Sequence, residues 1–150
     1  MHHERCRHAA GFTLVEMMAV VVITAIIAGI AYPSYSALMS KARRSEGRAA
    51  LLQAMQQQER HYTQANSYAE FSRASPAGFK WHSGATPQQS AYELSAAACA
   101  DQTLATCVQI EARPATEAVD PAASDPACGM LGLDSNGVRS AAGDAATCWK

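Results

Sequence analysis

Glu16 is the only charged residue between Phe12 and Leu38, and it stands at the edge of the chain's most apolar stretch. A carboxylate carried to a bilayer centre costs up to roughly 3 kcal/mol, so an acid here invites a specific role. One role is local. Thr13-x-x-Glu16 has the form of a capping box, and an acid in a first turn meets the positive end of a helix. The other reactive side chains are cysteines and histidines. Cys99, Cys107, Cys128 and Cys148 are spaced too widely for the close pairs that zinc takes, and no metal is expected. An even number of cysteines suits disulfides in an exported domain, with three pairings open. A fifth, Cys6, lies in the first eleven residues. Past those residues only His61 and His82 remain. There is no H-x-x-x-H, C-x-x-C, glycine-rich phosphate loop or G-x-S-x-G. No catalytic residue and no cofactor are expected; the chain reads as a non-enzyme.

The elements that must position these residues follow from composition. The chain has 150 residues, of which 49% are hydrophobic and 17% charged, with a formal net charge of −1. That is one small domain, without a basic arm or an acidic tail. The apolar residues are unevenly placed. Residues 1–11 are polar and weakly basic. Phe12–Tyr35 then offers 24 residues, where a hydrocarbon core needs about 20 in a helix. Its β-branched run, Ala19–Ile27, would suit a buried strand in water, but an isolated strand in lipid leaves its backbone unpaired. An ordinary signal peptide cut before Tyr32, after Gly29-Ile30-Ala31, fits the same composition. Gly29 and Pro33 weaken one turn of the helix, giving either a bend or local melting. Lys41, Arg43, Arg44 and Arg48 follow, which on the positive-inside rule would favour a cytoplasmic head.

Gly11-Phe12-Thr13-Leu14-Val15-Glu16-Met17-Met18 and the apolar run behind it resemble the processing motif of type IV pilins and type II secretion pseudopilins. Glu59–Gln64 with Asn66-Ser67-Tyr68 resembles the PilE-like and ComP-like minor pilins. The resemblance implies cleavage between Gly11 and Phe12 by a prepilin peptidase and N-methylation of Phe12. It implies that Glu16 pairs with the Phe12 amine of a neighbouring subunit. Partners would be other pilin subunits, the peptidase, an inner-membrane assembly platform, and lipid before assembly. The protein would sit in the bacterial inner membrane with its head in the periplasm, and later in the extracellular pilus, against the bare charge count of the Lys41–Arg48 segment. Cys128-Gly129…Cys148-Trp149-Lys150 resembles the stapled C-terminal loop of PilE-like pilins, implying Cys128–Cys148 and leaving Cys99–Cys107.

The pattern predicts an α+β fold of the type IV pilin kind: a long N-terminal helix packed on a small antiparallel sheet. The segments are 1–11 (cleaved leader), 12–38 (membrane and filament-core helix), 39–68 (amphipathic helix) and 69–150 (sheet with disulfide loops). Leu51, Leu52, Met55, Glu59 and Tyr62 fall at helical spacing, with the basic residues on a solvated face. Strands are predicted at Ser90–Ala97, Cys107–Ala112, Met130–Leu133 and Val138–Ser140, the last two joined by an Asn136-Gly137 hairpin. The function expected is a minor pilin subunit supporting pilus assembly, motility, adhesion or DNA uptake. Rival readings are a DNA-uptake receptor pilin, a type II secretion pseudopilin, and a soluble periplasmic binding domain. The stapled tail argues against the pseudopilin. From Ala65 onward five basic residues face nine acidic ones, and that average disfavours nucleic acid. A local basic spot remains near Arg139 and Lys150.

Overall fold

The computed structural model describes residues 12–150; Cys6 and Gly11 lie outside them. The chain divides into two compact units between Leu38 and Met39. Helix α1 runs Leu14–Ala65, unbroken in backbone through Gly29 and Pro33. It stops where Asn66 takes a left-handed conformation, φ 51°, which asparagine tolerates better than most residues.

In the first unit α1 is apolar all round. An 18-residue window reaches a mean hydropathy of 2.5 with no buried residue, long and apolar enough to cross a membrane. The Thr13 hydroxyl oxygen accepts the Glu16 N–H at 3.2 Å, so half of the capping box is formed. The Thr24 hydroxyl donates to the Val20 carbonyl at 2.7 Å, which satisfies it inside the apolar segment.

The second unit is a sheet on a helix. Strands β1 (Tyr92–Ala98), β2 (Val108–Pro114), β3 (Leu131–Asp134) and β4 (Arg139–Ala141) form an antiparallel meander in sequence order. A short helix α2 (Ala145–Cys148) follows. Alternation places Tyr92, Leu94 and Ala96 of β1 and Val108, Ile110 and Ala112 of β2 in the core, opposite Leu131 and Leu133 of β3. The stripe of α1 that meets them keeps Leu51 and the half-buried Met55 of the predicted one but otherwise runs through Gly47, Ala50, Ala54 and Gln58, whereas Leu52 and Glu59 are exposed. The reason is close approach: a Cβ at Gly47 would stand 2.9 Å from the Tyr92 ring. Small residues let the helix sit where larger ones would hold it off.

Gln58 is fully buried although polar. Its amide donates to the Ala69 carbonyl at 2.6 Å and accepts the Ala69 N–H at 2.9 Å. One side chain thus pairs a backbone unit as a neighbouring strand would. Phe71 and Phe79 stack in parallel at 5.0 Å and carry the Ala69–Gln89 loop onto the core. Disulfides join Cys99 to Cys107 across the β1–β2 tip and Cys128 to Cys148 ahead of β3 and at the end of α2.

Candidate functional site

Three places in the described residues concern function: the N-terminal end of α1, the basic segment beyond residue 40, and the surface around α2. At the first, Phe12 and Thr13 precede the helix and Glu16 lies in its first turn. Phe12 is 79% exposed and Val15 74%. A surface this apolar calls for lipid or other helices to cover it.

The second place departs in part from the expectation of a solvated basic face: Arg60 is exposed, whereas Arg43, Arg44 and Arg48 are half-buried and bonded. Arg43 donates to the Ala122 carbonyl at 2.7 Å and pairs with Asp120 at 3.5 Å. Arg44 grips Asp125 with two bonds, Nε to Oδ2 at 2.5 Å and Nη2 to Oδ1 at 2.7 Å. Arg48 donates to the main-chain oxygen of Lys150. Asp120 and Asp125 of the 115–127 loop take up Arg43 and Arg44. Burial would raise the Asp125 carboxyl, but the Arg44 hydrogen bond and the Cys128 N–H outweigh it and hold it below its ordinary value. The bond to Asp125 likewise raises Arg44. Beside this pair the Tyr92 hydroxyl is buried, with no hydrogen-bond partner among the described residues. Burial first, then the charge of Asp125, push it up to about 12.

The third place is built by α2. Asp144 caps it, its carboxylate accepting the Ala146 and Thr147 N–H groups. Hydrogen bonding from Thr147 holds that carboxyl below its ordinary value. The cap starts a turn that delivers Trp149 and Lys150 next to β4. Trp149 donates Nε1–H to the Ser140 carbonyl at 2.9 Å. The Arg139 guanidinium lies over its ring, 5.2 Å from the centroid. Arg139, Ala145, Ala146, Trp149 and Lys150 line one open groove with no acid among them. Arg48 reaches the main-chain oxygen of Lys150 beside this groove. The average charge of the head hides the groove. Asp120, Asp125 and Glu111 are paired to arginines, and Asp134 is taken up by the N–H groups of its own hairpin. Sequence reading pointed at Arg139 and Lys150; it missed Arg48 and Trp149, which only the folded chain brings to them.

The histidines are apart. His61 Nδ1 faces the Ser67 carbonyl at 2.9 Å and His82 Nδ1 the Gly84 carbonyl at 3.1 Å. Cys99, Cys107 and Asp134 converge closely enough to hold a metal, but both sulfurs are in a disulfide, which removes them as thiolate ligands.

Residues 33–132 match the family described as "Type IV minor pilin ComP, DNA uptake sequence receptor". Residues 6–32 match the prokaryotic N-terminal methylation motif. A type IV pilin from Shewanella oneidensis aligns at 30% identity, covering 74% of this chain and 98% of its own, with a TM-score of 0.49. The non-core minor pilin PilV of Neisseria meningitidis aligns at 23% identity over 70% and 88%, with a TM-score of 0.47. No curated protein matches.

Proposed function

Because the chain belongs to the type IV minor pilin ComP family, and is thus a pilin subunit, we propose that it is a filament-borne receptor for DNA. The observation that carries this is the groove lined by Arg139, Trp149 and Lys150, with two cations and no acid in its lining. Phosphate contacts need local positive charge, not a basic average. Trp149 is committed on one ring face to Arg139 and through Nε1–H to Ser140. It therefore stiffens the patch and leaves phosphate binding to the cations.

The rest of the reading serves that role. A prepilin peptidase cuts between Gly11 and Phe12, and Phe12 becomes the methylated N-terminus. The apolar part of α1 waits in the inner membrane with the head in the periplasm, then packs among other pilins on an assembly platform. Glu16 pairs with a neighbouring Phe12 amine and sets axial register, because a carboxylate among apolar helices has few other partners. Gly29 and Pro33 supply the turn that bends or melts as subunits pack.

The test of DNA reception uses the full chain in detergent micelles and sheared genomic DNA of the native host. Binding should weaken by roughly tenfold or more between 50 and 200 mM salt. The double substitution Arg139→Gln with Lys150→Gln should weaken it at every salt concentration and flatten the salt slope by about two phosphate contacts. Salt-independent binding, or an unchanged slope in the variant, would remove the patch from the reading.

A further inference from the structure

The cationic patch depends on a short C-terminal segment that a disulfide anchors to the core. Trp149 and Lys150 follow Cys148 directly, and they arrive from α2, a helix of 4 residues. So short a helix does not persist alone in water. Its only buried residue is Cys148. Its other ties lie at the edge of the head: Gly143 N–H to the Cys128 carbonyl at 3.2 Å, Trp149 Nε1–H to the Ser140 carbonyl, Arg48 to the main-chain oxygen of Lys150, and the Trp149 ring half-buried against the core under Arg139. The Cys128–Cys148 bond fixes the residue directly before Trp149 and Lys150, and so the end from which both side chains project. The Cys99–Cys107 loop carries none of the patch residues.

We propose that the Cys128–Cys148 disulfide is an oxidative gate on DNA binding: the patch is assembled only once the two thiols are joined. This rests on the DNA-receptor reading and on export of the head. The bond forms by exchange with an external protein disulfide. One cysteine thiolate attacks it to give a mixed disulfide, and the second thiolate displaces the carrier. The two cysteines lose two electrons and two protons, and the carrier leaves as a dithiol. In a reducing cytoplasm the thiols persist. The chain therefore passes the cell's own DNA with Trp149 and Lys150 undocked, and gains its ligand site only where disulfides form. Apparent affinity scales with the fraction of chains whose segment is docked.

The experiment measures binding of the full chain in detergent micelles to a short fluorescent duplex at low salt. Three forms are compared: the oxidised wild type, Cys128→Ser with Cys148→Ser, and Cys99→Ser with Cys107→Ser. Far-UV circular dichroism and thermal melts follow the sheet in each. The first variant should keep its sheet and bind at least about tenfold more weakly, while the second binds within about twofold of wild type. Reduction of the wild type with a dithiol should reproduce the loss, and reoxidation should reverse it. Wild-type affinity in a folded Cys128→Ser/Cys148→Ser chain would overturn the gate alone. So would loss of the whole sheet in that variant, because the bond would then hold the entire head. Failure of the oxidised wild type to bind any duplex would overturn the DNA reading itself, and the gate with it.

Discussion

The two parts of α1 are opposite solutions to one problem. Both are helix, and both carry more apolar surface than water tolerates. Before Leu38 the large apolar side chains are exposed, and nothing among the described residues covers them. After Met39 the apolar residues narrow to a stripe of small ones, a sheet covers that stripe, and arginines on the flanks bind loop acids and a loop carbonyl. The first part is completed by other molecules and the second by its own chain. A helix therefore shows in its side-chain sizes whether its partner is internal. Glycine and alanine facing a tyrosine indicate a fixed internal neighbour, whereas valine and isoleucine all round indicate a partner still to come.

Substitutions can break this contrast from either side. The largest effect is expected at Glu16. Glu16→Ala should abolish incorporation into filaments, scored by the chain's content in sheared pili. The melting of the second unit should stay unchanged, since Glu16 has no partner there. Normal incorporation of the mutant would sink the register role. Next comes Asp125→Asn, which leaves Arg44 half-satisfied in a mostly buried site. It should cost about 3 kcal/mol at pH 7 in chemical denaturation of the head and leave filament packing of the first unit alone. The pH dependence follows from the lowered Asp125 value. Its stabilisation is complete above the ordinary carboxylate range, near pH 4, and is lost as pH falls through the folded-state value. The gap between wild type and Asp125→Asn should thus close below about pH 4; a constant gap down to pH 2 would remove Asp125 ionisation as the cause. The smallest effect is expected at Gly47. Gly47→Val drives a branched side chain into the Tyr92 ring and should destabilise the head by about 2 kcal/mol, although glycine is a poor helix former. Added stability would mean that the helix and sheet stand further apart than the contact implies.

Much of this was legible in the residues. The apolar run and its single acid announced the first unit, and alternation at Tyr92–Ala96 and Val108–Ala112 announced the strands within two residues. Asn136-Gly137 marked its hairpin; Gly137 has φ 83°, which glycine adopts without cost. Of the buried stripe of α1 only Leu51 and Met55 were legible, because the small residues beside them carry almost no periodic signal. Nor were the ion pairs at Arg43 and Arg44, whose partners lie 77 and 81 residues away. Helix α2 was overlooked even though Asp144-x-x-Thr147 offers a cap, since 4 residues are too few to show a period. The cationic patch was half visible. Arg139 and Lys150 are close in sequence, but Arg48 reaches them only through the fold.

Gln58 has a consequence for how this protein tolerates change. Its amide faces both backbone groups of Ala69 from a site with no access to solvent. A library of variants should therefore show position 58 as intolerant as Leu51. Even glutamate, equal in size, would lose the donor and bring a charge into a dry site. A polar letter in the middle of an amphipathic helix would then score among the least replaceable in the head.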